Sequence, residues 1–391
     1  EHTILYTRKG GDDITNEMYS FEDRSGVKVS LRPEMTPSLC RMIMKKYKTE
    51  TPPIKWYSIP QCWRYETTSK GRKREHYQWN VDSFGGPEIK LDVEILAMIV
   101  RFFKSVGLTP NHVFIRLSNR QIIQQYLTNI GYKQETVVKK IFNIIDKLNK
   151  LPTETLITML NEKCGMKKED IKRLFELISV KHISDLEKFI GKNKIITDMK
   201  ELFEYIDQYN LSEWIILDLS IVRGLSYYTG IVFEGYFKSS SVKVKRSICG
   251  GGRYDNLLQK YGYRERVPAV GFGFGDVVIM EGLKELKLLP ELSSAVKYCV
   301  IPLNDEMTHD AIAISEKLRD AGIANNLYTG KLKMKAAFSY ANKTQAQFAI
   351  LVAPKEYKEG NIVLKDLRSG SKNNRVQKEI PLVEFIKQSL F

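Results

Sequence analysis

The stretch from residue 54 to 84 constrains this chain most. Two strand-like runs flank the polar loop Thr67-Thr68-Ser69-Lys70-Gly71-Arg72-Lys73-Arg74. In the second run, period-two alternation sets Tyr77, Trp79 and Val81 on one face and His76, Gln78, Asn80 and Asp82 on the other. In the first, Arg64 and Glu66 share a face with Cys62, while Trp63 and Tyr65 take the opposite one. Two long runs joined by a loop pair as an antiparallel hairpin, with no crossover helix between them. Paired in this way, they present Arg64, Glu66, Gln78, Asn80 and Asp82 to one cavity, a set suited to a phosphate and a small polar ligand. The basic loop suits a triphosphate or an RNA backbone, and equally a solvated turn; pattern alone does not choose.

Around this hairpin the texture changes several times. Met18–Phe21 and Val27–Leu31 flank a Gly-containing turn and read as a smaller hairpin. Thr36 and Pro37 predict a helix start, with Thr36 as its cap. Leu91, Ile95, Met98, Phe102 and Val106 repeat at helical spacing over 89–106, stopped by Gly107. Residues 121–210 are short, Lys-rich amphipathic helices broken at Leu151-Pro152-Thr153 and Gly165, and read as a helical insertion. Strand patterns return at 214–220, 227–236 and 267–271. From 297 onward strand and helix alternate, with Met307, Ala311, Ile314 and Leu318 as the stripe of the first helix; this predicts a separate small α/β domain. The predicted division is therefore 1–120, 121–210, 211–290 and 297–391.

Two further clusters carry chemistry. In Val222-Arg223-Gly224-Leu225-Ser226-Tyr227-Tyr228-Thr229-Gly230, Arg223 sits among apolar residues, where an unpaired guanidinium is expensive, so it must meet a carboxylate or a phosphate. In Cys249-Gly250-Gly251-Gly252-Arg253-Tyr254-Asp255, three glycines allow close approach to the backbone. Gly271-Phe272-Gly273-Phe274-Gly275 superficially matches a dinucleotide loop. Its spacing differs from G-x-G-x-x-G and no βαβ unit follows, which excludes a Rossmann site.

The formal charge is +15, which fits a polyanionic partner but is also a common route to solubility. No apolar run reaches the roughly 20 residues a membrane helix needs. The cysteines are five, scattered and without C-x-x-C spacing, which argues against a disulfide framework or structural zinc and for a reducing compartment, the cytoplasm. The chain starts at Glu1 instead of Met, so a removed organellar leader stays compatible with it.

Together these clusters resemble the histidyl-tRNA synthetases, a class II aminoacyl-tRNA synthetase family, in order along nearly the whole chain. Leu31-Arg32-Pro33-Glu34-Met35-Thr36-Pro37 is similar to the family's amino-acid-binding segment. Trp63-Arg64-Tyr65-Glu66 through Gln78-Trp79-Asn80-Val81-Asp82 resembles motif 2. Arg223–Gly230 and Gly251-Gly252-Arg253-Tyr254-Asp255 resemble the two signatures peculiar to the histidine enzymes. The resemblance implies an α+β fold: a class II antiparallel-sheet catalytic core with a helical insertion, and a C-terminal α/β anticodon-binding domain. It implies a homodimer acting on L-histidine, ATP with Mg²⁺, and tRNA(His), with no zinc, no organic cofactor and no metal-ligating side chain. Catalysis falls to Arg64 and Arg223. Histidine falls to Glu34, Thr36, Gln78, Asp82, Tyr227, Tyr228 and Tyr254; ATP falls to Arg64, Glu66, Arg72, Arg223, Gly273 and Gly275. The alternatives are a non-catalytic paralogue that binds histidine as a regulatory subunit, or a synthetase for another amino acid. Two departures stand out. Motif 1 is not in these residues and is expected upstream. Motif 3 usually ends in an arginine that stacks on adenine, and Gly275-Asp276-Val277-Val278 carries no cation there, so adenine is expected to be held differently.

Overall fold

The short hairpin forms as its pattern predicts. Ser20–Glu22 (β1) pairs antiparallel with Lys28–Ser30 (β2), turned at Gly26 with φ 76°. This computed structural model describes residues 1–7, 12–148, 151–222, 227–290, 296–369 and 377–388. The chain divides into two units, Glu1–Leu289 and Pro290–Phe391.

The first unit is built on an eight-stranded sheet. Its strands are Ile54–Ser58 (β3), Gln61–Trp63 (β4), Glu75–Phe84 (β5), Val113–Asn119 (β6), Ile215–Leu217 (β7), Ile231–Phe237 (β8), Ser247–Arg253 (β9) and Ala269–Gly275 (β10). They lie in the order β3-β5-β10-β9-β8-β6-β7, with β4 also on β5, and every pairing is antiparallel except β6 with β7. The first predicted strand is thus broken. Pro60 has no N–H to give the ladder, so β3 stops at Ser58, and after Trp63 the chain leaves the sheet. Arg64 and Glu66 therefore reach their positions from a loop and not from a strand face.

β10 also differs from expectation. The Gly-Phe-Gly-Phe-Gly run lies inside the strand instead of following it. Its phenylalanines face one way. Trp79 packs 4.9 Å from Phe272 and 5.6 Å from Phe102, and Phe102 lies 5.0 Å from Phe274. This aromatic layer seats the helix Glu88–Ser105, whose Leu91, Ile95, Ile99 and Phe103 are buried. With Trp79 and Val81 packed on the helix, alternation turns Gln78, Asn80 and Asp82 to the other side. The helix Thr36–Lys46 starts one residue earlier than predicted. Met35 holds the cap position with no side-chain cap bond, and Pro37 lies in the first turn.

Among the described residues, six helices run between Arg120 and Gln208, with Ile141, Leu174, Leu177 and Leu186 fully buried in them. Gly165, at φ 64°, ends the helix Thr153–Cys164 in the left-handed conformation that glycine adopts without a Cβ clash. The second unit carries Tyr298–Pro302 (β11), Asn325–Leu327 (β12), Phe348–Val352 (β13), Asn361–Asp366 (β14) and Gln377–Pro381 (β15) in the order β12-β11-β13-β14-β15. The first three strands are parallel and the last two antiparallel. Met307, Ala311, Ile314 and Leu318 form the buried face of the helix Thr308–Asp320 and its cap, as their spacing predicts. β15 escaped the pattern because it is an exposed, polar edge strand.

One buried ionic network ties the first unit together. Arg253, 4% exposed, donates from Nε to Asp92 at 3.3 Å, from Nη1 to Asp255 at 3.1 Å and from Nη2 to the Glu88 carbonyl at 2.7 Å. Asp255 also accepts from the Ala269 amide at 3.0 Å. The end of β9, the start of β10 and the helix Glu88–Ser105 thus meet at one guanidinium. Arg253→Met strands the buried Asp92 carboxylate, while Asp255 keeps Arg266, and is expected to destabilise the first unit by about 3–5 kcal/mol, read as a lower denaturant midpoint. Removal of the exposed pair Lys188–Asp185 should leave that midpoint in place.

Candidate functional site

Strand pairing builds the site floor. In the β5–β10 register Asp82 faces Gly271, Asn80 faces Gly273 and Gln78 faces Gly275. A Cβ at position 271 would sit 2.2 Å from Asp82 Oδ1, and one at 273 would sit 2.8 Å from Gln78 Nε2. The glycines are therefore room for the polar side chains of β5, which lie across their neighbour strand.

Above this floor is a cavity of about 450 Å³. Glu34 and Thr36 line one side, Gln78, Asn80 and Asp82 the base, and Tyr227, Tyr228 and Tyr254 the far wall. Tyr254 donates its hydroxyl hydrogen bond to Asp82. Burial, reinforced by the Asp82 charge, pushes the Tyr254 phenol well above its usual range, so it remains a donor at neutral pH. The Tyr227 and Tyr228 hydroxyls are 3.4 Å apart and their rings 4.5 Å apart. An enclosed carboxylate with several phenols matches a small ligand that both donates and accepts hydrogen bonds.

A second cavity, about 760 Å³, opens beside the first. Arg64, Gln78, Gly250 and Gly273 line both. Arg64 is fixed at this junction by a 3.0 Å bond from its Nε to the Pro33 carbonyl, and its amide bonds the Arg74 carbonyl at 2.9 Å. Glu66 and Arg72 pair at 3.0 Å on the outer wall, Gly275 lies on its floor, and Arg74 stacks 4.1 Å over the Tyr65 ring. His76 also lines this cavity; burial, helped by the Arg64 charge, lowers its pKa and keeps it neutral. Arg246 joins the wall and was not foreseen. Its signal was the basic run Lys243–Arg246 just before β9, visible as a site only once β9 is placed two strands from β5.

Arg223 lies outside the described residues. The backbone on either side of its segment is held by one helix start. Arg120 Nη1 donates to the Val222 carbonyl at 2.6 Å, and Gln121 Nε2 to the Thr229 carbonyl at 2.9 Å. The Arg120 amide bonds the Gly230 carbonyl at 3.1 Å, while its guanidinium rests 4.4 Å from the Phe142 ring. Of the other predicted residues, Glu34, Thr36, Arg64, Gln78, Asp82, Tyr227, Tyr228, Tyr254 and Gly273 meet around the inner cavity. Arg64, Glu66, Arg72, Gly273 and Gly275 meet around the outer one.

The histidyl-tRNA synthetase family profile matches residues 1–275, and the anticodon binding domain profile matches 297–388. The chain is 42% identical to the chloroplastic/mitochondrial histidine–tRNA ligase of Arabidopsis thaliana, over 95% of this chain and 75% of that one. It is 33% identical to the histidine–tRNA ligase of Pyrococcus furiosus, over 100% and 90%. Among solved structures, the histidyl-tRNA synthetase of Nostoc sp. superposes with a TM-score of 0.77 at 23% identity, over 100% of this chain and 89% of that one. That of S. aureus reaches 0.72 at 21%, with the same coverage, and at such identities the likeness is one of fold. The chain belongs to the histidyl-tRNA synthetase family.

Proposed function

We propose that this chain activates L-histidine with ATP and transfers it to the 3′ end of tRNA(His). The observation that carries the reading is that a small polar cavity and a larger cationic one share Arg64 and Gln78 at their boundary. Histidine occupies the inner cavity. Glu34 and Thr36 take its ammonium group, and Gln78 orients its ammonium and carboxylate end. Asp82 accepts from the imidazole N–H, while Tyr228 serves the other ring nitrogen, with Tyr227 and Tyr254 lining the pocket. Because Tyr254 already donates to Asp82, that carboxylate is held in place before the ligand arrives.

ATP occupies the outer cavity, with Glu66 toward adenine, Arg72 toward the distal phosphates, and Gly273 and Gly275 letting the nucleotide lie against β10. Arg64, with Arg223, flanks the α-phosphate. The histidine carboxylate, ionised at neutral pH, needs no general base. Its oxygen bonds to the α-phosphorus as the bond to pyrophosphate breaks, and fixed guanidinium groups stabilise the charge on the non-bridging oxygens. The ribose hydroxyl of tRNA then attacks the activated carbonyl and AMP departs. Mg²⁺ enters with the triphosphate, whose charge it offsets as pyrophosphate leaves.

The same reading assigns the parts. Residues 1–120 and 211–290 form the catalytic core, 121–210 an insertion and 297–391 the anticodon-binding domain. It makes the protein a homodimer, supported by the exposure of Tyr57 (76%), Ile59 (60%) and Tyr77 (50%) on β3–β5. Five buried, free cysteines fit a reducing compartment, the cytoplasm or an organelle. A regulatory paralogue has no need for the cation at the cavity junction, which favours the enzyme.

Among all twenty amino acids, histidine should drive the fastest exchange of pyrophosphate into ATP, and a higher rate with any other would sink the reading. Gly271→Ala drives a methyl group into Asp82; kcat/KM for histidine should fall by about 10²-fold, with KM for ATP little changed. Deletion of residues 297–391 should spare pyrophosphate exchange and lower tRNA charging by about 10²-fold or more, the loss expected when one of two linked contacts is removed.

A further inference from the structure

We propose that Arg246 is a ligand for the distal phosphates of the nucleotide, a cation brought to the outer cavity from a segment other than the third class II motif. The inference rests on the outer cavity being the ATP site. At the start of the helix Asp276–Glu285, Val277 and Val278 line that cavity and bring no charge to it. Arg246, one residue before β9, lines the same cavity from another segment.

The charge balance explains why this side chain calls for an anion. The residues lining the outer wall include Arg64, Arg72, Lys73 and Arg246 against the carboxylate Glu66, to which Glu17 is hydrogen-bonded. Glu66 is committed to Arg72 at 3.0 Å. The nearby Glu285 is committed as well, to Lys70 and to the Lys243 amide at 2.9 Å. Among the described residues Arg246 makes no ion pair, and its one hydrogen bond goes to the Ser69 hydroxyl at 3.3 Å. Burial, followed by the charge of Arg72, lowers its pKa, as happens when a guanidinium has cationic company and too little opposite charge.

The side chain is also positioned. Its Cδ lies 3.4 Å from where a Gly71 Cβ would be, so the stem runs across the basic loop instead of out into solvent. Ser69 and Gly71 thus sit beside Arg246 while Arg72 completes the wall, giving two guanidinium groups from separate segments around one opening. That arrangement fits the dense negative charge of a β,γ-diphosphate better than the flat, neutral face of a purine.

The test uses the full chain in histidine-dependent pyrophosphate exchange, together with calorimetric titration of ATP, ADP and AMP. Arg246→Gln keeps a polar side chain on the same aliphatic stem but is shorter and removes the charge. It should raise KM for ATP, and weaken ATP and ADP binding, by about tenfold or more, while KM for histidine and the affinity for AMP change by less than about twofold. Arg246→Lys should recover most of the loss. Unchanged ATP affinity in Arg246→Gln would overturn the assignment, and so would an equal loss for AMP, which would place the side chain on the base. Should the wild-type protein show no histidine-dependent exchange, the fault lies with the reading of the whole site, and the nucleotide titrations still judge Arg246 on their own.

Discussion

The pairing of β5 with β10 is the constraint on which the rest of the first unit depends. Asp82 and Asn80 are buried and Gln78 half-buried in the middle of a sheet, where a neighbouring strand of ordinary residues would collide with them. Alternate glycines on β10 remove that collision, and the phenylalanines between them fill the opposite face against Trp79 and the helix Glu88–Ser105. A five-residue alternation thereby serves two masters, an apolar layer below and a polar floor above. A register slip of one residue would bury the polar set and expose the aromatic one, so packing of the lower face fixes the geometry of the upper.

The two cavities on that floor illustrate opposite uses of burial. The inner one is smaller and lined by buried groups, with Asp82 already bonded to Tyr254, which suits discrimination by hydrogen bonds because a wrong ligand leaves buried groups unpaired. The outer one is open and carries uncompensated positive charge, which suits a polyanion that brings its own solvation and its own cation. Arg64 stands where they meet, held by the Pro33 carbonyl so that its direction does not depend on either ligand. Preorganisation of this kind lets a cation stabilise developing charge without rearranging.

Much of this was legible in the residues themselves. Period-two alternation assigned the polar face of β5 correctly, and period-3.6 spacing found the helices Glu88–Ser105 and Thr308–Asp320. Two things were hidden. The break at Pro60 was written in the chain, yet the alternation on both sides of it read as one strand. Arg253 was hidden for a different reason: it reads as part of a glycine-rich signature, and its role appears only when Asp92 and Asp255, from a helix and a loop, converge on it. Pairings between distant segments leave no periodic trace, and Arg246 belongs to the same class.

The grip on the segment carrying Arg223 shows how an inserted block of helices stays tied to a catalytic sheet. Two consecutive residues, Arg120 and Gln121, reach the backbone before and after that segment. Both lie at the start of a helix whose first residue is also bonded through its amide to Gly230, next to β8. The Arg120 guanidinium is largely buried against Phe142, so it cannot swing to solvent without losing an aromatic contact. Three bonds from one helix terminus thus fix the backbone at Val222, Thr229 and Gly230. The helical block and the sheet share one apolar core, so this polar bracket works beside packing that already joins them.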